Sequence, residues 1–203
     1  MKALITQREV TDSYNVKCDM LESTYIPYFE SIGINAVPVS NFQTVTDIDT
    51  DLIILTGGGS IAKEQPNRDK TEKELFELAI SKNLPILAIC RGFQYINYLL
   101  GGKISKLDNL KIKRDIGKDH FVSIKNEKIL VNNYHNDGIY TKDLAKGLKI
   151  LALDEENDTV EAFTSEKYRI LAVQWHPERK FSDEKSRGDT KNLIKKFING
   201  EEL

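Results

Sequence analysis

Apolar and polar positions along the first half of the chain follow two periods, short β-like runs and longer helical stretches. Leu4-Ile5 reads as a first strand, and residues 19–32 carry helical spacing that Gly33 ends. A second strand at 36–39 leads into a polar loop. The run 51–55, Asp-Leu-Ile-Ile-Leu, is apolar at successive positions, as in a parallel strand covered on both faces. It opens into Thr56-Gly57-Gly58-Gly59-Ser60. A charged helix is predicted near 69–82 and a second fully buried strand at 85–89. Cys90-Arg91-Gly92 follows at once, and then a helix over 93–100 that Gly101-Gly102 stops.

The second half changes pattern. Residues 121–124 and 128–131 are short strands around a tight polar turn, which predicts an antiparallel hairpin. Strands near 149–153, 160–163 and 170–174 follow, with a last helix over about 184–198. Repeated strand, helix and strand predict an α/β fold with a mixed, mostly parallel central sheet flanked by helices. Nothing resembles a linker or a repeat, so residues 1–203 read as one domain.

Composition narrows the function. The chain has 203 residues, 40% hydrophobic and 30% charged, with a formal net charge of -2. That charge gives no general grip on nucleic acid. No apolar run approaches the roughly 20 residues of a membrane span. Two cysteines, Cys18 and Cys90, make no disulfide framework, and a reducing cytoplasm is the expected location.

The chemistry gathers at three places. A cysteine at a sharp strand-to-helix turn meets the free N–H groups and partial positive charge of a helix N-terminus, which favour thiolate. Gly92 allows the close backbone approach such an elbow needs. Read alone, Cys90 fits a small buried hydrophobe equally well. Only three histidines are present, His120, His135 and His176. His176 lies in Gln174-Trp175-His176-Pro177-Glu178, where Pro177 biases it towards extended backbone. Residues two apart then share a side, so Glu178 can hold one ring nitrogen while the other serves Cys90. The Gly57–Gly59 run could turn backbone N–H groups towards a developing charge. No Gly-Lys-Ser/Thr follows it, which argues against a phosphate loop, and a plain turn is the bland alternative. Histidines and cysteines lack metal-ligand spacing, so neither metal nor cofactor is expected.

These motifs resemble the class I glutamine amidotransferase superfamily, which implies a flavodoxin-like core. Arg68-Asp69-x-x-Glu72, Cys90-Arg91-Gly92 and Asn132-Asn133-Tyr134-His135-Asn136 resemble its stand-alone γ-glutamyl hydrolase branch, which includes the γ-glutamyl-γ-aminobutyrate hydrolases. The resemblance implies Cys90, His176 and Glu178 as a catalytic triad. It implies oxyanion donors at Gly58 or Gly59 and at Arg91. It places Gln94, Tyr134, His135 and Asn136 near a glutamyl headgroup, on a small γ-glutamyl substrate. Ala88 stands where the family's elbow usually opens with Gly, and Tyr134-His135-Asn136 where it often has two adjacent histidines.

A stand-alone hydrolase, monomeric or homodimeric, competes with a glutaminase subunit that hands ammonia to a synthase. A non-catalytic homologue is the third class, and the complete Cys/His/Glu set argues against it. The basic residues Lys103, Lys106, Lys111, Lys113, Arg114 and Lys118 read as a solvated loop or as an edge for an anionic leaving group such as a nucleotide phosphate.

Overall fold

A computed structural model describes residues 1–45, 48–125 and 127–203. Parts of the predicted loop after residue 39 and of the predicted hairpin turn, at 46–47 and 126, lie outside these residues. The elements in chain order begin with β1 (Lys2–Ile5), the hairpin β2 (Arg8–Thr11) and β3 (Lys17–Met20), α1 (Tyr25–Glu30) and β4 (Asn35–Pro38). β5 (Leu52–Leu55), α2 (Pro66–Lys82), β6 (Ile86–Ile89) and α3 (Arg91–Leu99) complete the first half. The second half holds β7 (Ser105–Lys106), β8 (Asp119–Ile124), β9 (Glu127–Asn132) and β10 (Asp137–Tyr140). It closes with β11 (Leu148–Asp154), β12 (Thr159–Ser165), β13 (Ile170–Val173) and α4 (Glu184–Asn199).

The main sheet runs β4-β1-β5-β6-β13-β12-β11-β8-β9. Its first five strands are mutually parallel, and the rest extend it antiparallel. Alternate residues of the parallel strands face opposite layers. Ile5, Ile54, Ile89 and Val173 pack with Tyr25 and Phe29 of α1 and with Ile194 and Phe197 of α4. Leu4, Leu55, Ala88 and Ala172 pack with Leu75 of α2 and Phe93 of α3. Burial on both faces is why these strands carry unbroken apolar runs.

One expectation needs correcting. Residues 19–32 are not one helix: Lys17–Met20 is a strand paired with Arg8–Thr11, and helix begins only at Tyr25. Pro27 gives the reason. It has no N–H to donate and is tolerated only in a first turn, so α1 starts just before it. The hairpin turn is set by Asp12, whose Oδ1 accepts from the N–H groups of Tyr14 and Val16, both at 2.9 Å, and by Asn15 in the left-handed region at φ 60°.

Candidate active site

The candidate residues gather at the carboxyl ends of the parallel strands, Cys90 after β6 and His176 after β13. Open α/β sheets leave their crevices there, because the loops that follow the strands converge at that edge. Cys90 follows β6 directly and takes φ 51° and ψ -99°, a strained conformation for a residue with a side chain. It is held by its N–H to the Val173 carbonyl at 2.8 Å, while its own carbonyl starts α3 by accepting from Gln94 N–H at 3.1 Å. Gly92 is required by contact: a Cβ there would stand 2.5 Å from the Leu55 carbonyl oxygen. Ala88 lies fully buried in β6, so the elbow accepts its methyl group.

His176 follows β13. Its Nδ1 lies 2.6 Å from Glu178 Oε1, and both side chains are buried. The imidazole edge with Nε2 lies against Gly57 and Cys90: a Cβ on Gly57 would stand 2.5 Å from His176 Cε1, 3.2 Å from Nε2 and 3.3 Å from Cys90 Cβ. The structure thus brings Cys90, His176 and Glu178 together. Burial pulls the His176 pKa down, but Cys90 and then Glu178 outweigh it and lift it to about 9.

The glycine loop after β5 is pinned through its carbonyls. Arg68 donates to the Thr56 and Gly58 oxygens, each at 2.7 Å, and to Gly57 O at 3.2 Å. The N–H of a trans peptide points away from its carbonyl, so the Gly58 and Gly59 N–H groups face away from Arg68. Neither they nor the Arg91 N–H find an acceptor within the described protein. Gly57 N–H, by contrast, is taken by the Tyr25 hydroxyl at 3.0 Å. Arg68 pairs with Glu72 at 2.8 Å, and Arg91 bonds both Glu72 and Asp69, so the Arg68-Asp69-x-x-Glu72 motif ties the loop to the elbow.

One cavity of about 240 Å³ is bordered by Cys90, His176, Gly58, Gly59 and Arg91, and also by Gln94, Tyr134, His135 and Asn136. Gln94 commits its amide nitrogen to Asp137 O at 2.8 Å and Gln174 Oε1 at 3.1 Å. Tyr134 stands edge-on to His176, with ring centroids 5.8 Å apart. His135 borders the cavity, but its imidazole is buried: Nδ1 donates to Asp137 O at 3.0 Å and Nε2 lies 3.8 Å from Glu161. Burial holds its pKa at about 4.

The basic segment divides. Arg114 is not a surface cation but lies buried between Asp154 and Glu161, with its Glu161 contact at 2.7 Å. Lys118 pairs with exposed Asp115 at 2.8 Å. Lys103 and Lys106, with Lys63, instead border a groove of about 930 Å³ that shares Ser60, Gln94, Asn136 and Asp137 with the Cys90 cavity. Sequence reasoning also missed Asn132, which holds His176, and Arg8 and Arg179 on the cavity wall. For Asn132 the signal was present in the Asn132–Asn136 motif.

This is the fold of class I glutamine amidotransferases. A glutamine amidotransferase structure from Thermotoga maritima superposes with TM-score 0.66 at 16% identity, covering 98% of this chain and 93% of that one. By sequence the chain belongs to the peptidase C26 family, whose pattern it matches over residues 5–178. YvdE of Lactococcus lactis, itself named for its likeness to glutamine amidotransferases, is 29% identical over 91% of this chain and 90% of its own length. The gamma-glutamyl-CDP-amidate hydrolase of Campylobacter jejuni is 36% identical over 63% of this chain and 62% of that protein. These relationships support a hydrolase of the glutamine amidotransferase type. Among the described residues no helix is long and apolar enough to cross a membrane.

Proposed function

We propose that the protein is a cysteine-dependent γ-glutamyl amide hydrolase. The observation that carries this reading is the meeting of Cys90, on its strained elbow, with a His176 already held by Glu178. The Cys90 thiolate attacks the γ-carbonyl carbon and forms a C–S bond. Charge gathers on the carbonyl oxygen, where the free N–H groups of Arg91 and of Gly58 or Gly59 receive it. His176 gives its proton to the leaving nitrogen, the C–N bond breaks, and a γ-glutamyl thioester remains. Water then loses a proton to His176 and attacks the thioester, and the C–S bond breaks to release glutamate and restore the pair. Glu178 orients the imidazole and stabilises its charged form.

For the leaving group we propose a cytidine-diphosphate amidate, a step that fits capsular phosphoramidate synthesis. The similarity to the Campylobacter jejuni enzyme and the lysine-bordered groove beside Cys90 support it. A second reading is a glutaminase that serves a synthase, favoured by 36% identity over 134 residues to the GMP synthase of Caldicellulosiruptor saccharolyticus; the match spans 24% of that protein.

The test is a panel of γ-glutamyl amides against free glutamine, with and without candidate synthases. Hydrolysis of amides without any partner supports the stand-alone reading; glutaminase activity appearing only with a synthase supports the other. Cys90→Ser should abolish turnover and Cys18→Ser should not. His176→Asn should remove nearly all activity and Glu178→Gln less. A Cys90→Ser protein with wild-type rates would sink the mechanism.

A further inference from the structure

Two arginines on the wall of the Cys90 cavity take no part in the chemistry proposed above. Arg8 opens β2 just beyond the end of β1, and Arg179 follows Glu178; both border the cavity with Cys90 and His176. They share one carboxylate. Arg179 grips Glu22 bidentately, Nε to Oε2 at 3.1 Å and Nη2 to Oε1 at 2.7 Å, and Arg8 bonds the same Oε1. Glu22 does not border the cavity. Glu178 also comes within 3.9 Å of Arg179, but it is engaged by His176. Two guanidinium charges against one carboxylate leave this wall net positive. Asp137, the one acidic residue bordering the cavity among those described, belongs to the wall shared with the larger groove.

Both arginines are fixed in place yet reachable. The Arg179 guanidinium lies 4.5 Å from the centroid of the Tyr134 ring, which itself stands edge-on to His176. Arg8 donates to the Gly57 carbonyl at 3.4 Å, and a Cβ on Gly58 would overlap its guanidinium, so the glycine loop is what admits it. The side chains remain 26% and 20% exposed. The Nε and Nη2 groups of both arginines are taken by Glu22 and the Gly57 carbonyl, but Nη1 of each finds no acceptor among the described residues. Each partly exposed guanidinium therefore still has N–H groups to offer an arriving carboxylate.

We propose that Arg8 and Arg179 bind the α-carboxylate of the γ-glutamyl headgroup and so select it over neutral acyl groups. The inference rests on the γ-glutamyl hydrolase reading. It assigns the headgroup to the arginine wall, and leaves the leaving group to the groove that adjoins the cavity at Ser60, Gln94, Asn136 and Asp137.

The test uses two substrates with one neutral leaving group, γ-glutamyl-p-nitroanilide and its α-carboxamide. The ratio of their kcat/KM values on a single preparation cancels the fraction of active protein, so a partly unfolded variant still reports. Wild-type protein should prefer the free acid by about tenfold or more, the range of one or two charge-assisted hydrogen bonds at a half-open site. Arg179→Gln and Arg8→Gln should each lower that preference, the double variant should bring it near one, and Arg179→Lys should restore part of it. A wild-type ratio near one, or a ratio unchanged in the double variant, overturns the assignment while leaving the hydrolase reading intact. Wild-type protein that cleaves neither these anilides nor any γ-glutamyl amide overturns both.

Discussion

Asn132 bonds both backbone groups of His176: its side-chain oxygen accepts from His176 N–H at 2.9 Å, and its amide nitrogen donates to His176 O at 2.8 Å. Asn132 is the last residue of β9, at the far edge of the sheet from the parallel strands, and it is fully buried. The antiparallel half of the molecule therefore sets where the imidazole sits. Asn132→Ala would leave the His176 N–H buried without a partner, at about 1–3 kcal/mol, while the His176 carbonyl would keep only the Arg179 N–H at 3.2 Å. Misplacing a reacting group by about 1 Å costs on the order of 100-fold in rate. We expect kcat to fall about 10- to 100-fold per folded molecule, with folded protein measured by circular dichroism. Unchanged turnover in a folded variant would show that Asn132 does not position His176.

That contact explains what the sequence could and could not reveal. Strands buried on both faces betray themselves as apolar runs, and the elbow and His-Pro-Glu segments are local, so Cys90, His176 and Glu178 were legible. Arg114 was not, because its partners Glu161 and Asp154 lie 47 and 40 residues away, and only the folded sheet brings them within reach. A charge run read as a surface therefore contained a buried ion pair. The β2–β3 hairpin was masked because the helical spacing read over 19–32 overlaps the end of β3, although Pro27 argued against one helix that long.

Two glycines should respond to alanine with opposite signs. At Gly92 the new Cβ would meet backbone, the Leu55 carbonyl at 2.5 Å, and the elbow must shift to accept it. Gly92→Ala should lose activity by at least tenfold and lower the urea midpoint. Gly188 lies inside α4 with nothing within 4 Å of a Cβ. Gly188→Ala should stabilise by about 0.5–1 kcal/mol through helix propensity, with activity unchanged. Equal midpoints for the two variants would contradict the packing argument.

Stability should peak close to pH 6.5. Burial holds the folded His135 pKa at about 4, against about 6.5 unfolded. Between those values the unfolded chain binds more protons, so stability falls as pH drops from 6.5 to 4. Glu161, held ionised by Arg114 against the penalty of burial, acts with the same sign below the ordinary carboxylate range. His176 works the other way. Its folded pKa is raised to about 9, so its contribution is complete below about pH 6.5 and is lost as pH rises through 9. Urea midpoints measured at pH 5, 6.5 and 8.5 should be highest at 6.5, and His135→Asn should flatten the acid side. A midpoint that climbs steadily towards pH 5 would contradict the assignment.

The last prediction separates the two halves of the basic segment. If the leaving group carries phosphates, it should lie along the groove that opens beside Cys90, where Lys63, Lys103 and Lys106 stand among Glu64 and Asp108. Lys113 borders a different cavity together with Arg114, whose charge is already committed to Asp154 and Glu161. Replacing Lys103 and Lys106 together by Gln should raise KM for a nucleotide-bearing γ-glutamyl amide, by about 2- to 5-fold per exposed contact. Turnover of a small neutral γ-glutamyl amide should not change, because the lysines would touch only the remote part of the substrate. The KM effect should shrink with added salt, since exposed charges are screened over about 8–10 Å at physiological ionic strength. Replacing Lys111 and Lys113 should leave both substrates untouched. If that second pair raises KM and the first does not, the groove is not the leaving-group site, and the phosphates must lie beyond Arg114 instead.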